Sequence, residues 1–114
     1  MKITHPKHIR EEAAGIAEAV LSEVKEYGGE AYDLAHQSVD GSEDIIYYSK
    51  AWNLVTAARE DSNLYDSGHE TLVETEGDKI QEGETVDNVM TRLAYWILFN
   101  AVMEKINEVE EGEE

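Results

Sequence analysis

The chain has 114 residues, with 26 Asp or Glu against 9 Lys or Arg, a formal net charge of −17. This length suits one domain, and an apolar share of 41% supports a core that disordered acidic chains lack. The charge argues against direct binding to nucleic acid or to anionic membranes, and it exceeds the ~2–8 charges that keep a small domain soluble. The surplus opposes folding, because like charges repel in a compact state. Three causes fit it: a halophilic host, a cationic ligand or metal, or a partner with a basic surface.

Cysteine is absent, so there is no disulfide framework and no thiolate chemistry. Residues 1–10 are basic, but no apolar stretch of signal-peptide type follows them. The longest apolar stretch, 89–103, is broken by Thr91, Arg92 and Asn100, and it falls short of the ~20 residues that cross a bilayer. The expectation is a soluble cytoplasmic protein (host cytoplasm, if a phage encodes it).

The first predicted element is a helix from Pro6 to about Tyr27. Thr4 or His5 would cap it, and proline suits the first helical position. Ile9, Ala13, Ile16, Val20 and Val24 recur at helical spacing, and Gly28-Gly29 ends the run. Residues 30–39 predict a short second helix with Ala31, Leu34, Ala35 and Ser38 on one side. Asp40-Gly41 is a turn signal, and Asp40 with Glu43 fits a capping box for the next helix.

Residues 45–59 predict a third helix. Ile45, Tyr48, Trp52 and Val55 form one apolar row, with Ala51, Leu54 and Ala58 beside it. The start, Ile45-Ile46-Tyr47-Tyr48, is also β-prone. Residues 61–85 read as a polar connector with Gly68, Gly77 and Gly83, long for a compact domain, in which Thr71-Leu72-Val73 suggests a short strand or hairpin. Residues 86–109 predict the last helix, and 110–114 a frayed acidic tail. The fold expectation is therefore mainly α: a single domain over residues 1–114, a bundle of three to four helices with a long acidic connector.

The carboxylates are unevenly placed. Glu60, Asp61, Asp66, Glu70, Glu74, Glu76, Asp78, Glu82, Glu84 and Asp87 crowd the connector, opposed only by Lys79. Glu104, Glu108, Glu110, Glu111, Glu113 and Glu114 crowd the end, while 88–103 carries no carboxylate. Charge runs usually serve solvation, but an ordinary charged surface mixes signs and this one is poor in lysine. The sharper reading is nucleic-acid mimicry, since a protein that grips DNA neutralises phosphates with Lys and Arg. One helical row places a charge only every ~6 Å, so two or three acidic segments, or a dimer, would be needed.

Other chemistry is thinly signalled. His5 and His8 form an H-x-x-H without an adjoining acidic or cysteine ligand. Asp33, His36 and Asp40 could form half a metal site, but a helical salt bridge is the ordinary meaning of that spacing. Asp40-Gly41-Ser42-Glu43-Asp44 lacks the ligand spacing of a calcium loop. No nucleophile elbow, dinucleotide fingerprint, phosphate loop or zincin motif is present. No catalytic residue, cofactor or metal is expected, and the chain reads as a binding protein, not an enzyme. Residues 93–99 are apolar on every helical face, which requires burial all round. The expectation is a homodimer seam through Tyr95, Trp96 and Phe99.

Several features resemble the Ocr family of phage DNA-mimic antirestriction proteins and similar small acidic counter-defence proteins, anti-CRISPR inhibitors included. They are Asp33-x-x-His36 followed by Asp40, Tyr47-Tyr48, Tyr65-Asp66-Ser67-Gly68, and an apolar last helix running into an acidic end. The resemblance spans residues 30–114. Residues 39–51 and 94–99 are also similar to small uncharacterised phage and prophage proteins. The resemblance implies a helical dimer that fills the DNA groove of a type I restriction enzyme or related defence complex. The chain departs from that pattern in residues 45–59, which hold few acids, and in a last helix without acids before Glu104. A smaller basic groove, such as one in a CRISPR effector, would suit that charge distribution. The alternative is a non-catalytic adaptor that binds through the aromatic-rich last helix, with charge for solubility only.

Overall fold

The computed structural model describes residues 5–76 and 85–112. Six helical segments follow in order: α1 Pro6–Tyr27, α2 Ala31–Asp40, α3 Glu43–Ile46, α4 Tyr48–Ala58, α5 Ser62–Glu76 and α6 Val86–Gly112. Segment α3 is a single turn, so five substantial helices replace the three to four expected. No strand occurs among the described residues.

Helix α6 is the axis of the fold. Its 27 residues, at ~1.5 Å rise each, run ~40 Å, close to the longest dimension of the molecule, 44 Å. All five other segments pack against it. Leu93, Ala94, Ile97, Leu98, Phe99, Ala101, Val102 and Ile106 are buried. Fully burying each larger side chain contributes about 1.5–3 kcal/mol. Most of the apolar run 93–99 is covered within the chain, with Tyr95 and Trp96 half-buried.

Helix α1 forms as its sequence predicts. Pro6 stands at its start, and the turn out of it is made by Gly28 (φ 81°) and Gly29 (φ 107°), both in the left-handed region that glycine alone enters cheaply. The Gly28 N–H donates to the Val24 carbonyl at 2.9 Å. The buried stripe is Ile9, Ala13, Ala17 and Val20, with Ile16 and Val24 at its margin.

Three expectations are corrected. Asp40 lies in the last turn of α2 and does not start the next helix; Ser42 precedes α3, and its carbonyl accepts from the Ile45 and Ile46 N–H groups at 3.1 Å. The helix expected over 45–59 is broken at Tyr47, which is extended (φ −99°, ψ 122°). Four β-branched or aromatic residues in succession lose rotamer freedom in a helix, and the chain kinks there.

The third correction concerns the connector. Residues 62–76 form α5, with Leu64, Gly68 and Leu72 as its buried face, and Thr71–Val73 is helical. The remaining connector positions, 77–84, lie outside the described residues. Helix α5 starts on a local cap: the Asn63 N–H donates to Asp61 Oδ1 at 3.1 Å, and the Leu64 N–H to the Asp61 carbonyl at 3.1 Å.

Helices α5 and α6 run antiparallel and meet at Gly68. A Cβ built on Gly68 would lie 2.3 Å from Ile97 Cγ1 and 2.9 Å from the Ile97 backbone, so only glycine permits this approach. Beside the crossing, Asn100 Nδ2 donates towards the Ser67 carbonyl (3.0 Å), Ser67 Oγ (2.9 Å) and Thr71 Oγ1 (2.8 Å). Helix α6 continues past the expected end at Val109 to Gly112, so Glu110 is helical and not part of a frayed tail. Among the described residues no helix is long and apolar enough to cross a membrane.

Candidate interaction surface

The acidic residues singled out by the sequence fall into two groups. The first has partners within the fold. Asp61 accepts from Arg10 Nη2 at 2.7 Å, joining α1 to the start of α5. This hydrogen bond holds the Asp61 carboxyl below its ordinary range and raises the Arg10 guanidinium. Glu76 accepts from Trp96 Nε1 at 2.8 Å and from Arg92 Nη1 at 3.2 Å, fastening the end of α5 to α6. Asp87 accepts from Trp52 Nε1 at 3.1 Å. Glu60 lies 3.8 Å from His5 Nδ1, and Glu108 lies 3.8 Å from Lys105.

The second group faces solvent. Asp66, Glu70 and Glu74 lie one turn apart on the outer side of α5, and all are exposed. Helix α5 contains no Lys or Arg. Asn63 and Ser67, which border this row, line a small cavity of about 70 Å³ together with Arg10 of α1 and with Asn100 and Glu104 of α6. Glu104 therefore lies on the same side of the α5–α6 pair as the row. Glu110 stands farther along α6, lining an apolar groove of about 690 Å³ between α1 and α6 with Leu21, Val24 and Val109. Asp78, Glu82 and Glu84 lie outside the described residues, as does the side chain of Glu111.

Asp61 yields the first expected result. Its folded carboxyl sits below the usual value near 4, so its stabilisation is present at neutral pH and fades as pH falls from about 4 through the lower folded value. Asp61→Asn should cost about 1–2 kcal/mol at pH 7, as a weakened cap and a lost exposed ion pair. The difference from the parent protein should shrink below about pH 3. Urea unfolding at pH 7 and pH 3 measures both.

Of the rings expected to form a dimer seam, Phe99 packs inside the chain, while Tyr95 and Trp96 are half-buried. Phe99 is 4% exposed and stacks on His36 at 4.0 Å between centroids. Tyr32 meets both rings edge-on, and Trp96 meets His36 and Phe99 edge-on. The Tyr95 hydroxyl and His36 Nδ1 are hydrogen-bonded to each other. Burial, and then the nearby charge of Asp40, raise the Tyr95 phenol above its ordinary value, so it remains protonated. The helical salt bridge expected between Asp33 and His36 gives way to this long-range pair. Much of the cover that the apolar helix requires comes from α2 and its neighbours, and Tyr95 and Trp96 keep part of their surface exposed.

A cavity of about 380 Å³ opens beside this ring cluster, lined by His36, Asp40, Ile45, Glu76, Thr91, Arg92, Tyr95 and Trp96. Sequence reasoning missed it, because its walls come from α2, α3, α5 and α6. The only local signal was Asp33-x-x-His36 with Asp40 one turn on, and its spacing says nothing of Tyr95, 59 residues away. His5 and His8 pair edge-on with centroids 5.6 Å apart. Among the described residues no group of three or more His, Asp or Glu is placed to hold a metal ion. Comparison with known proteins finds no match: no family model, no curated protein and no solved structure is similar to this chain.

Proposed function

We propose that the protein is a non-catalytic inhibitor that occupies the basic groove of a nucleic-acid-binding enzyme, offering carboxylates where the enzyme expects phosphates. The observation that carries this reading is the exposed row Asp66, Glu70 and Glu74 on a helix without Lys or Arg. Glu104, beside Arg10 on the same side of the α5–α6 pair, adds a further carboxylate. A single row steps ~6 Å per charge, whereas one DNA strand presents a phosphate every ~3.4 Å along the axis. The row and its α6 neighbour therefore suit a short, narrow basic groove better than a long duplex channel. Restriction complexes and CRISPR effectors are the partner class to which the sequence resemblance points.

The test adds the protein to DNA-cleavage reactions of such enzymes over a salt series. Inhibition should weaken steeply as salt rises, and excess duplex should relieve it. Asp66→Asn, Glu70→Gln and Glu74→Gln together should weaken inhibition roughly tenfold, from ~0.2–1 kcal/mol for each exposed pair lost. Inhibition indifferent to salt would sink the reading.

A second reading, a protein-binding adaptor, draws on a different observation. Ile46 and Tyr47 at the α3–α4 break, Trp52 in the middle of α4 and Val86 at the start of α6 are exposed, and clustered large apolar side chains on a surface mark contact sites. On that reading binding by the parent protein would depend only weakly on salt, Tyr47→Ser would abolish it, and the α5 variants would bind normally.

A further inference from the structure

We propose that the cavity among α2, α3, α5 and α6 receives an arginine side chain of the partner. The inference rests on the mimic reading and adds an anchor to it. The volume, about 380 Å³, lies in the range of pockets that take small ligands, ~300–1,000 Å³. Its walls combine the rings of His36, Tyr95 and Trp96 with the carboxylate of Asp40. That pairing of aromatic surface with a carboxylate is what a guanidinium prefers, since it stacks on rings and bonds carboxylates in a two-pronged fork.

The charges facing the cavity divide clearly. Glu76 is held by Arg92 and by the Trp96 indole, which settles the cavity's own cation. Asp40 stands in the last turn of α2, a helix with no basic residue in that turn. The helix dipole disfavours an acid there, so its carboxylate costs the fold something and is available to an incoming cation. The hydrogen bond between Tyr95 and His36 fixes one wall before anything binds. Arginines seated in pockets are frequent anchors of protein interfaces, and a groove that grips phosphates is rich in them.

A pocket for arginine differs measurably from a merely acidic surface. Two peptides of equal charge and length, one of arginines and one of lysines, are titrated into the intact protein. Binding is followed by calorimetry and by the indole N–H and ring signals of Trp96 and Tyr95 in NMR, with the Trp52 indole as internal reference. The arginine peptide should bind at least tenfold tighter and shift Trp96 and Tyr95 but not Trp52. Asp40→Asn, which removes charge from an exposed helix end, should bring the arginine peptide down to the lysine peptide's affinity and leave the latter unchanged. Equal binding of both peptides, with salt dependence intact and Trp96 unmoved, would overturn the pocket and leave the acidic surface standing. If neither peptide binds in a salt-dependent way, the mimic reading falls as well.

Discussion

Gly68→Ala should destabilise the protein by about 2–3 kcal/mol, although alanine favours helices over glycine by ~1 kcal/mol. The added methyl would lie 2.3 Å from Ile97 Cγ1 and 2.9 Å from the Ile97 Cα and N atoms. A flexible side chain could move aside, but a backbone in the middle of α6 cannot, so the two helices must separate. Overpacking of this kind costs about 1–3 kcal/mol and sometimes more. Parting the helices also stretches the Asn100 bonds to Ser67 and Thr71. The melting temperature should fall by roughly 8–15 °C, at ~4–5 °C per kcal/mol for a domain of this size. Gly15→Ala is the matched control. Nothing lies within 4 Å of its built Cβ, so the same substitution in α1 should raise the melting temperature by a few degrees. Thermal unfolding followed by circular dichroism reads both variants. A neutral Gly68→Ala would mean that α5 does not approach α6 this closely.

Phe99→Ala should cost about 3–5 kcal/mol, the range for truncating a buried aromatic ring. That is a large share of the 5–15 kcal/mol that holds a typical domain together. The loss should be the same at every protein concentration, because the ring packs against His36, Tyr32 and Trp96 of its own chain. Were Phe99 the centre of a dimer seam, the variant would instead abolish a concentration dependence of the melting temperature. Unfolding across a hundredfold range of concentration, with sedimentation of parent and variant, separates the two cases.

The elements with strong boundary chemistry were legible in the sequence. Pro6 and Gly28-Gly29 bracket α1, and the carboxylate-free run through Met103 marks the core of α6. Helix α5 was hidden because its buried face is only Leu64, Gly68 and Leu72. Two leucines and a glycine give a faint period, and a glycine in polar company reads as punctuation when it is in fact a contact. The break at Tyr47 was foreshadowed by the β-prone run, but helical spacing on its far side masked it. The uneven placement of acids was readable, yet their partners were not. Asp61 finds Arg10 across 51 positions, and Glu76 finds Trp96 across 20. Spacing rules reach one or two helical turns, and such pairs are set by how the helices dock.

The order in which the helices are made has a kinetic consequence. Helix α6 follows every other described segment in the chain, and each of them packs on it. During synthesis, the apolar faces of α1 and α4 therefore wait without much of their cover until residues 86–112 emerge. Joining the first helix to the last closes a long loop, so folding should be slower than in bundles built from neighbouring hairpins. Incomplete chains with bare apolar faces tend to associate. Mutual repulsion among the carboxylates opposes that association, so the acidity helps keep the nascent chain solitary whatever its finished surface binds.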